Sequence, residues 1–262
     1  MPNKVAVVTG ASCGLGAAVS SLLAGRGYTV YGLSRRGTAP GGVIPLAVDV
    51  TDEDGLLAAV SDITEKEGGI DVAVLAAGCG IAGALEYLPT EEVSRQVSVN
   101  LLGLDASLRA VTPALRQRRG RVLAIGSAAG VFPIPFQAHY SATKAAVEAL
   151  LRAYAGEVAP FGIRVGVALL GDTATGFTAA RRTCTDGDAL YGGRITGSVA
   201  RMQKDEEGGA SADAVAAVLV RRLCARRMPY RFTVGLRYRL LLFLNRLLPT
   251  RWVDGIIRAM YR

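Results

Sequence analysis

Short unbroken apolar runs alternate with apolar positions at helical spacing along most of the chain. Residues 4–9 form a valine-rich run ending at Gly10, which predicts a parallel strand buried on both faces. Leu15, Ala18, Val19, Leu22 and Leu23 then recur as one face of a helix that stops near Gly25 and Gly27. Residues 28–33 and 43–48 predict the second and third strands. A helix follows through Leu56, Leu57 and Val60, with Thr51 as its expected cap and acids in its first turn. Residues 71–76 predict a fourth strand. Val93, Val97, Leu101, Leu104 and Leu108 predict one long helix from Thr90, closing in the arginines of 116–121. Residues 121–127 read as the fifth strand, 139–158 as a helix, 163–169 as the sixth strand, 212–224 as a helix and 230–234 as a last strand. This strand–helix alternation predicts a single α/β domain over residues 1–234, built on a doubly wound parallel sheet.

Two segments break the alternation. Residues 171–209 are glycine-rich and polar, and predict a mobile flap with a short helix near 176–182. Residues 235–262 form an extension in which Leu236, Leu240, Phe243, Leu244, Leu247 and Leu248 share one helix before Pro249. Trp252, Val253, Ile256, Ile257 and Met260 share a second, interleaved with arginines.

Composition narrows the class. The chain has 262 residues, half of them apolar, enough for a well-buried core. No stretch approaches the roughly 18 apolar residues of a membrane span. The first residues lead directly into a strand, so no signal peptide is expected. Cys13, Cys79, Cys184 and Cys224 are widely spaced and read as free thiols in a reducing compartment, which gives a cytoplasmic expectation. His139 is the one histidine, so a histidine-rich metal site is not expected. The net charge of +8 is unevenly placed. Residues 226–262 hold nine arginines and one acid, and the rest of the chain is neutral.

Candidate chemistry clusters after the strands. Gly10, Gly14 and Gly16, with Ser12, Cys13 and Leu15 between them, form a turn from the first strand into a helix. In that geometry backbone N–H groups and a helix amino terminus hold a pyrophosphate, although a glycine-rich turn is also a tight connection in its own right. Ser34, Arg35 and Arg36 close the second strand with no acid in residues 34–40. An acid there would hold the 2′-hydroxyl of NAD, whereas two guanidiniums suit the 2′-phosphate of NADP(H). Ala77 and Gly78 follow the fourth strand and allow a ligand close to the backbone. Asn100 sits in the apolar middle of a helix, where an amide needs hydrogen-bond partners. Tyr140 and Lys144 share a helix face, and an ammonium beside a phenol is expected to lower the phenol pKa. Pro133 and Pro135 forbid a continuous helix back to Ser127, which therefore approaches from a strand end. His139, one position from Tyr140, points elsewhere and reads as structural.

Taken together these residues resemble the short-chain dehydrogenase/reductase family over about residues 4–234. Thr9, Gly10, Gly14 and Gly16 are similar to its cofactor motif, Asp49 and Val50 to its adenine-contact pair, and Asn100, Ser127, Tyr140 and Lys144 to its catalytic tetrad. The resemblance implies a Rossmann-like fold and hydride transfer between nicotinamide and a carbonyl or secondary alcohol, with the arginine pair and the missing acid pointing to NADP(H) as the cofactor. It implies Tyr140 as proton donor and Ser127 as the residue that orients the carbonyl. Lys144 would depress the tyrosine pKa and bind the ribose, and Asn100 would hold a water leading to Lys144. Two departures stand out. The family's Asn-Asn-Ala-Gly is here Leu75-Ala76-Ala77-Gly78, which puts support of the central sheet in question. Its Pro-Gly is Leu170-Gly171, which weakens the expectation for the loop carrying Gly171, Thr173 and Thr175 to the nicotinamide.

The extension is open to three readings: a lid over an apolar substrate, packing against the core or a second subunit, or contact with an anionic membrane surface. Nucleic acid is not expected, because leucine dominates and stacking aromatics are few. The tail resembles those of members acting on steroids or retinoids, which points to a hydrophobic ketone or alcohol, with a 3-oxoacyl thioester as the alternative. A non-catalytic cofactor sensor and a membrane-surface scaffold remain as readings of other classes. A homodimer or homotetramer is expected.

Overall fold

Seven parallel strands form the central sheet of the protein, whose computed structural model describes residues 3–261. They are β1 (Lys4–Thr9), β2 (Tyr28–Ser34), β3 (Ile44–Ala47), β4 (Val72–Leu75), β5 (Arg121–Ser127), β6 (Arg164–Leu170) and β7 (Arg231–Thr233), in the order β7-β6-β5-β4-β1-β2-β3. β1 pairs on both sides, with Val7 opposite Tyr31 of β2 and Ala73 of β4. After β3 the chain therefore crosses back to lay β4 on the other side of β1. That reversal opens a crevice at the strands' carboxyl ends.

Helices cover both faces, which explains the unbroken apolar runs. α1 (Gly14–Ala24) leads the first crossover and α2 (Glu53–Glu67) the second. α3 (Thr90–Val97), a π-helical turn (Ser98–Leu102) and α4 (Gly103–Arg118) run end to end, and α5 (Ala138–Val158) follows β5. α6 (Phe177–Ala180), α7 (Arg194–Glu207) and α8 (Ala212–Leu223) lie between β6 and β7, and α9 (Leu236–Leu244) and α10 (Thr250–Met260) end the chain. Val5 and Val7 enter one core with Leu56 of α2, Leu115 of α4 and Leu151 of α5. Ala6 and Val8 enter the other with Val19 of α1 and Leu219 of α8. Successive residues of a strand point to opposite faces, so a sheet covered twice needs apolar residues at every position.

Three expectations change. The long helix from Thr90 contains a π turn, and that turn carries Asn100. Asp52, not Thr51, caps α2 by accepting the Gly55 N–H at 3.1 Å, because Thr51 is bonded to Asp49 Oδ1 through its N–H (3.0 Å) and hydroxyl (2.9 Å). Within the segment expected to be a flap, a second helix, α7, stands beyond the short one expected near 176–182 and buries Ile195, Ser198 and Met202. Its other residues are mostly polar or charged, so no apolar periodicity announces it. The tail forms the two anticipated helices, and Tyr261 at its end is buried. The last tail arginine, Arg262, and residues 1–2 lie outside the described residues. No helix among the described residues is long and apolar enough to cross a membrane.

Candidate active site

One cavity of about 760 Å³ lies over the carboxyl ends of the strands and runs beneath α9 and α10. Its wall includes nearly every residue singled out in the sequence: Gly10, Ser12, Cys13, Gly14, Leu15 and Gly16 after β1, and Ser34, Arg35 and Arg36 after β2. Asp49 and Val50 after β3, Ala77 and Gly78 after β4, Ser127 at the end of β5, Tyr140 and Lys144 on α5, and Gly171, Thr173 and Thr175 after β6 complete that set. Asn100 is the exception; it stands behind Gly78.

The end near β1 is built for an anion. Gly16 packs so closely on the turn that a Cβ there would lie 2.2 Å from the Gly10 carbonyl oxygen, so only glycine permits this entry into α1. Cys13 at the amino end of α1 provides no side-chain cap, and the first turn carries no acid. The leading N–H groups of α1 are thus directed at the cavity without a competing carboxylate. At the rim, Arg36 donates to Ser12 Oγ from Nη2 (2.9 Å) and Nε (3.3 Å). Ser34 donates its hydroxyl to the Thr38 carbonyl at 3.2 Å. These features fit the pyrophosphate of a dinucleotide along the turn.

Both departures from the family pattern have local replacements. Thr9 Oγ1 accepts the N–H groups of Ala76 (3.1 Å) and Ala77 (3.2 Å), holding β1 to the chain after β4. Asn100 accepts the Cys79 N–H at 2.8 Å and donates to the Cys79 carbonyl at 2.9 Å and to Thr143 Oγ1 at 3.3 Å. Gln96, on α3, accepts the Ile81 N–H at 2.7 Å. The segment after β4 is thereby clamped from the helix behind it. In the loop after β6, residues Thr173–Ala174 bridge to Ala210–Ser211, and Thr175 stands close against Gly14, where a Cβ would lie 3.5 Å from the Thr175 Cβ.

Burial governs the protonation of the central pair. Lys144 Nζ donates to the Ile125 carbonyl at 2.9 Å and stands 5.8 Å from the centre of the Tyr140 ring. The anticipated depression of the phenol pKa is not what the structure gives. Burial pushes Tyr140 up to about 12, opposed by the nearby Ser127 hydroxyl, and burial lowers Lys144 to about 8. Desolvation disfavours both charged forms and outweighs the attraction expected from the helix face alone. At neutral pH Tyr140 is therefore a protonated phenol, suited to donate.

The far wall was only partly visible in the sequence. Phe177 lies against Tyr140 with ring centres 5.7 Å apart. Leu241, Leu248 and Ile257 from the tail line the same space. Tyr238 of α9 fastens the tail to the loop after β6: its hydroxyl bonds the Asp172 carboxylate and accepts the Asp172 N–H at 3.1 Å. Its ring occupies the position of a missing side chain, since a Cβ on Gly171 would lie 1.9 Å from it. A leucine-rich helix signals burial, but not which cavity it walls.

Comparison with known proteins places these features in a family. The short chain dehydrogenase family matches residues 4–185. A 3-ketodihydrosphingosine reductase of Bacteroides thetaiotaomicron is 37% identical over 239 residues, covering 90% of this chain and 89% of that protein. A 3-oxoacyl-[acyl-carrier-protein] reductase of Vibrio cholerae is 33% identical over 201 residues, covering 71% and 81%. The crystal structure of a short-chain dehydrogenase from Streptomyces avermitilis superimposes with a TM-score of 0.84 at 29% identity, covering 98% of each chain.

Proposed function

The chain belongs to the short-chain dehydrogenase/reductase family of oxidoreductases, and from that we propose that it is an NADPH-linked reductase of a long hydrophobic ketone. The observation that carries this reading is the continuity of one cavity from the phosphate-binding turn, past Ser127 and Tyr140, to an apolar wall supplied by α9 and α10. The likeness to a 3-ketodihydrosphingosine reductase over nine-tenths of the chain makes a sphingoid ketone the first substrate to try. A 3-oxoacyl thioester is the second reading, favoured by the likeness to the Vibrio protein.

The residues divide the work as follows. Gly10, Ser12, Cys13, Gly14, Leu15 and Gly16 would hold the cofactor's pyrophosphate, and Ser34, Arg35 and Arg36 its 2′-phosphate. Asp49 and Val50 would border the adenine. Ala77, Gly78 and Lys144 would border the nicotinamide ribose, and Gly171, Thr173 and Thr175 the nicotinamide. The bound cofactor supplies a hydride to the carbonyl carbon. Tyr140 donates its phenolic proton to the carbonyl oxygen, which balances the hydride and completes the alcohol. Ser127 hydrogen-bonds the same oxygen and stabilises the charge that develops on it. Lys144, as ammonium, stabilises the phenolate left on Tyr140. Asn100 acts as a positioning residue through Cys79 and Thr143. Phe177 and the tail present apolar side chains to this space, and a long substrate seated against them would shield the reacting atoms from water and strengthen each of these interactions.

The test is NADPH oxidation with 3-ketodihydrosphingosine, a 3-oxoacyl thioester and a steroid ketone. Turnover is expected to be fastest on the sphingoid ketone. Tyr140→Phe should lower kcat by about 10²–10⁴-fold while NADPH binding persists. Undiminished turnover in that variant would refute the assignment.

A further inference from the structure

The tail has a second face that the cavity does not use. Leu236, Leu240 and Phe243 recur along one side of α9, Leu247 continues the row in the turn that follows, and Trp252 stands at the start of α10; each is more than half exposed. Leu240 and Phe243 face away from the cavity, whose wall is made by their neighbours Leu241 and Leu244. A helix places positions three and four apart on one stripe, so these leucines and the phenylalanine form a ridge, not scattered exposures. Contiguous apolar surface of this kind on a soluble chain marks an interaction site.

We propose that this outer face docks on the surface of an anionic lipid bilayer, with α9 and α10 lying in the interface. Charge selects the occupant. The two helices and the turn between them, residues 236–260, contain Arg237, Arg239, Arg246, Arg251 and Arg258 against Asp254 alone. Arg239 and Arg246 are exposed within one helical turn of Leu236, Leu240 and Phe243, Arg251 is exposed next to Trp252, and Arg258 is exposed further along α10. Long cationic side chains flanking an apolar stripe suit an interface in which the stem is buried and the guanidinium reaches the headgroups. A second copy of the chain is disfavoured on the same ground. A two-fold interface would set this strongly cationic surface against itself with hardly any acids to compensate. Neither helix is long enough to span: α9 has nine residues and α10 eleven, against roughly 20 for a transmembrane helix.

The docking surface and the cavity are two sides of the same helices. A bilayer-borne ketone would then reach Tyr140 from the lipid side. That consequence rests on the proposed function; the docking itself does not.

Trp252 is the only tryptophan in the chain, so its emission reports on this face without labelling. The full-length protein is mixed with vesicles of phosphatidylcholine containing phosphatidylglycerol, or of phosphatidylcholine alone. With anionic vesicles the emission should shift to the blue and the protein should co-sediment; neutral vesicles should do neither. Salt near 1 M, where the screening length is about 3 Å, should release it. Leu240→Glu with Phe243→Glu should abolish binding, and each of Arg239→Gln, Arg246→Gln and Arg251→Gln should weaken it about fivefold. Circular dichroism and NADPH titration of these surface variants establish that they are folded. Tyr140→Phe should bind vesicles like the parent, so docking and catalysis fail separately. Absence of a shift with anionic vesicles at low salt would overturn the proposal, as would equal binding to neutral vesicles. Light scattering that shows a dimer dissolved by Leu240→Glu with Phe243→Glu would assign the face to a second copy and overturn it equally.

Discussion

Removal of one oxygen tests whether the tail is latched to the loop after β6. The Tyr238 hydroxyl bonds the Asp172 carboxylate and accepts the Asp172 N–H, while its ring covers Gly171. Burial and the adjacent Asp172 carboxylate both push the phenol pKa up, so Tyr238 remains a neutral donor throughout the working range. Tyr238→Phe keeps the ring packing and deletes only the hydroxyl. A hydrogen bond to a charged group contributes about 1.5–3 kcal/mol, which makes local opening of α9 and α10 about ten- to a hundredfold more frequent. The core does not depend on this bond, so the global melting temperature should move little. Arg239, Arg246 and Arg251 are exposed, and trypsin cleaves after arginine. Where opening is fast relative to cleavage, the rate of tail cleavage follows the open population and should rise by the same factor. The KM for a long-chain ketone should rise, with that for a short soluble ketone unchanged, because only the long chain reaches the tail wall. Tail cleavage at the parental rate in a folded Tyr238→Phe protein would refute the latch.

Three further outcomes follow from the site. With Lys144 at about 8 and Tyr140 at about 12, kcat/KM for reduction should be flat near neutrality and fall above about pH 8 as Lys144 loses its proton, since reduction uses the ammonium and the phenol; alcohol oxidation, which needs the phenolate, should rise with pH instead. A reductive plateau extending to about pH 10 would contradict this assignment. Asn100→Ala strips both polar groups of Cys79 of their partners and should destabilise the fold by about 2–4 kcal/mol, read as a lower midpoint in urea. Arg35→Ala and Arg36→Ala should weaken NADPH far more than NADH in binding titrations, and equal losses would reject the 2′-phosphate assignment.

The strands, the glycine turn and the Tyr140–Lys144 face were legible because each is written in local spacing. A sheet covered on both faces requires continuous apolar runs, and residues four apart on a helix must share a side. The two tail helices were legible for the same reason. Helix α7 was not, because its buried Ile195, Ser198 and Met202 are diluted by polar residues over three turns. Nor was the π turn that carries Asn100, since no local pattern marks it and the partners of Asn100, Cys79 and Thr143, lie far away in sequence. Spacing does not give the protonation of Tyr140 and Lys144, because it states proximity and is silent about desolvation. By itself, then, the sequence determined the sheet, the glycine turn that enters α1 and the shared helix face of Tyr140 and Lys144. Only the tertiary structure decided that the tail walls the cavity with one face and leaves the other to solvent, because an amphipathic pattern marks a helix face without naming what covers it.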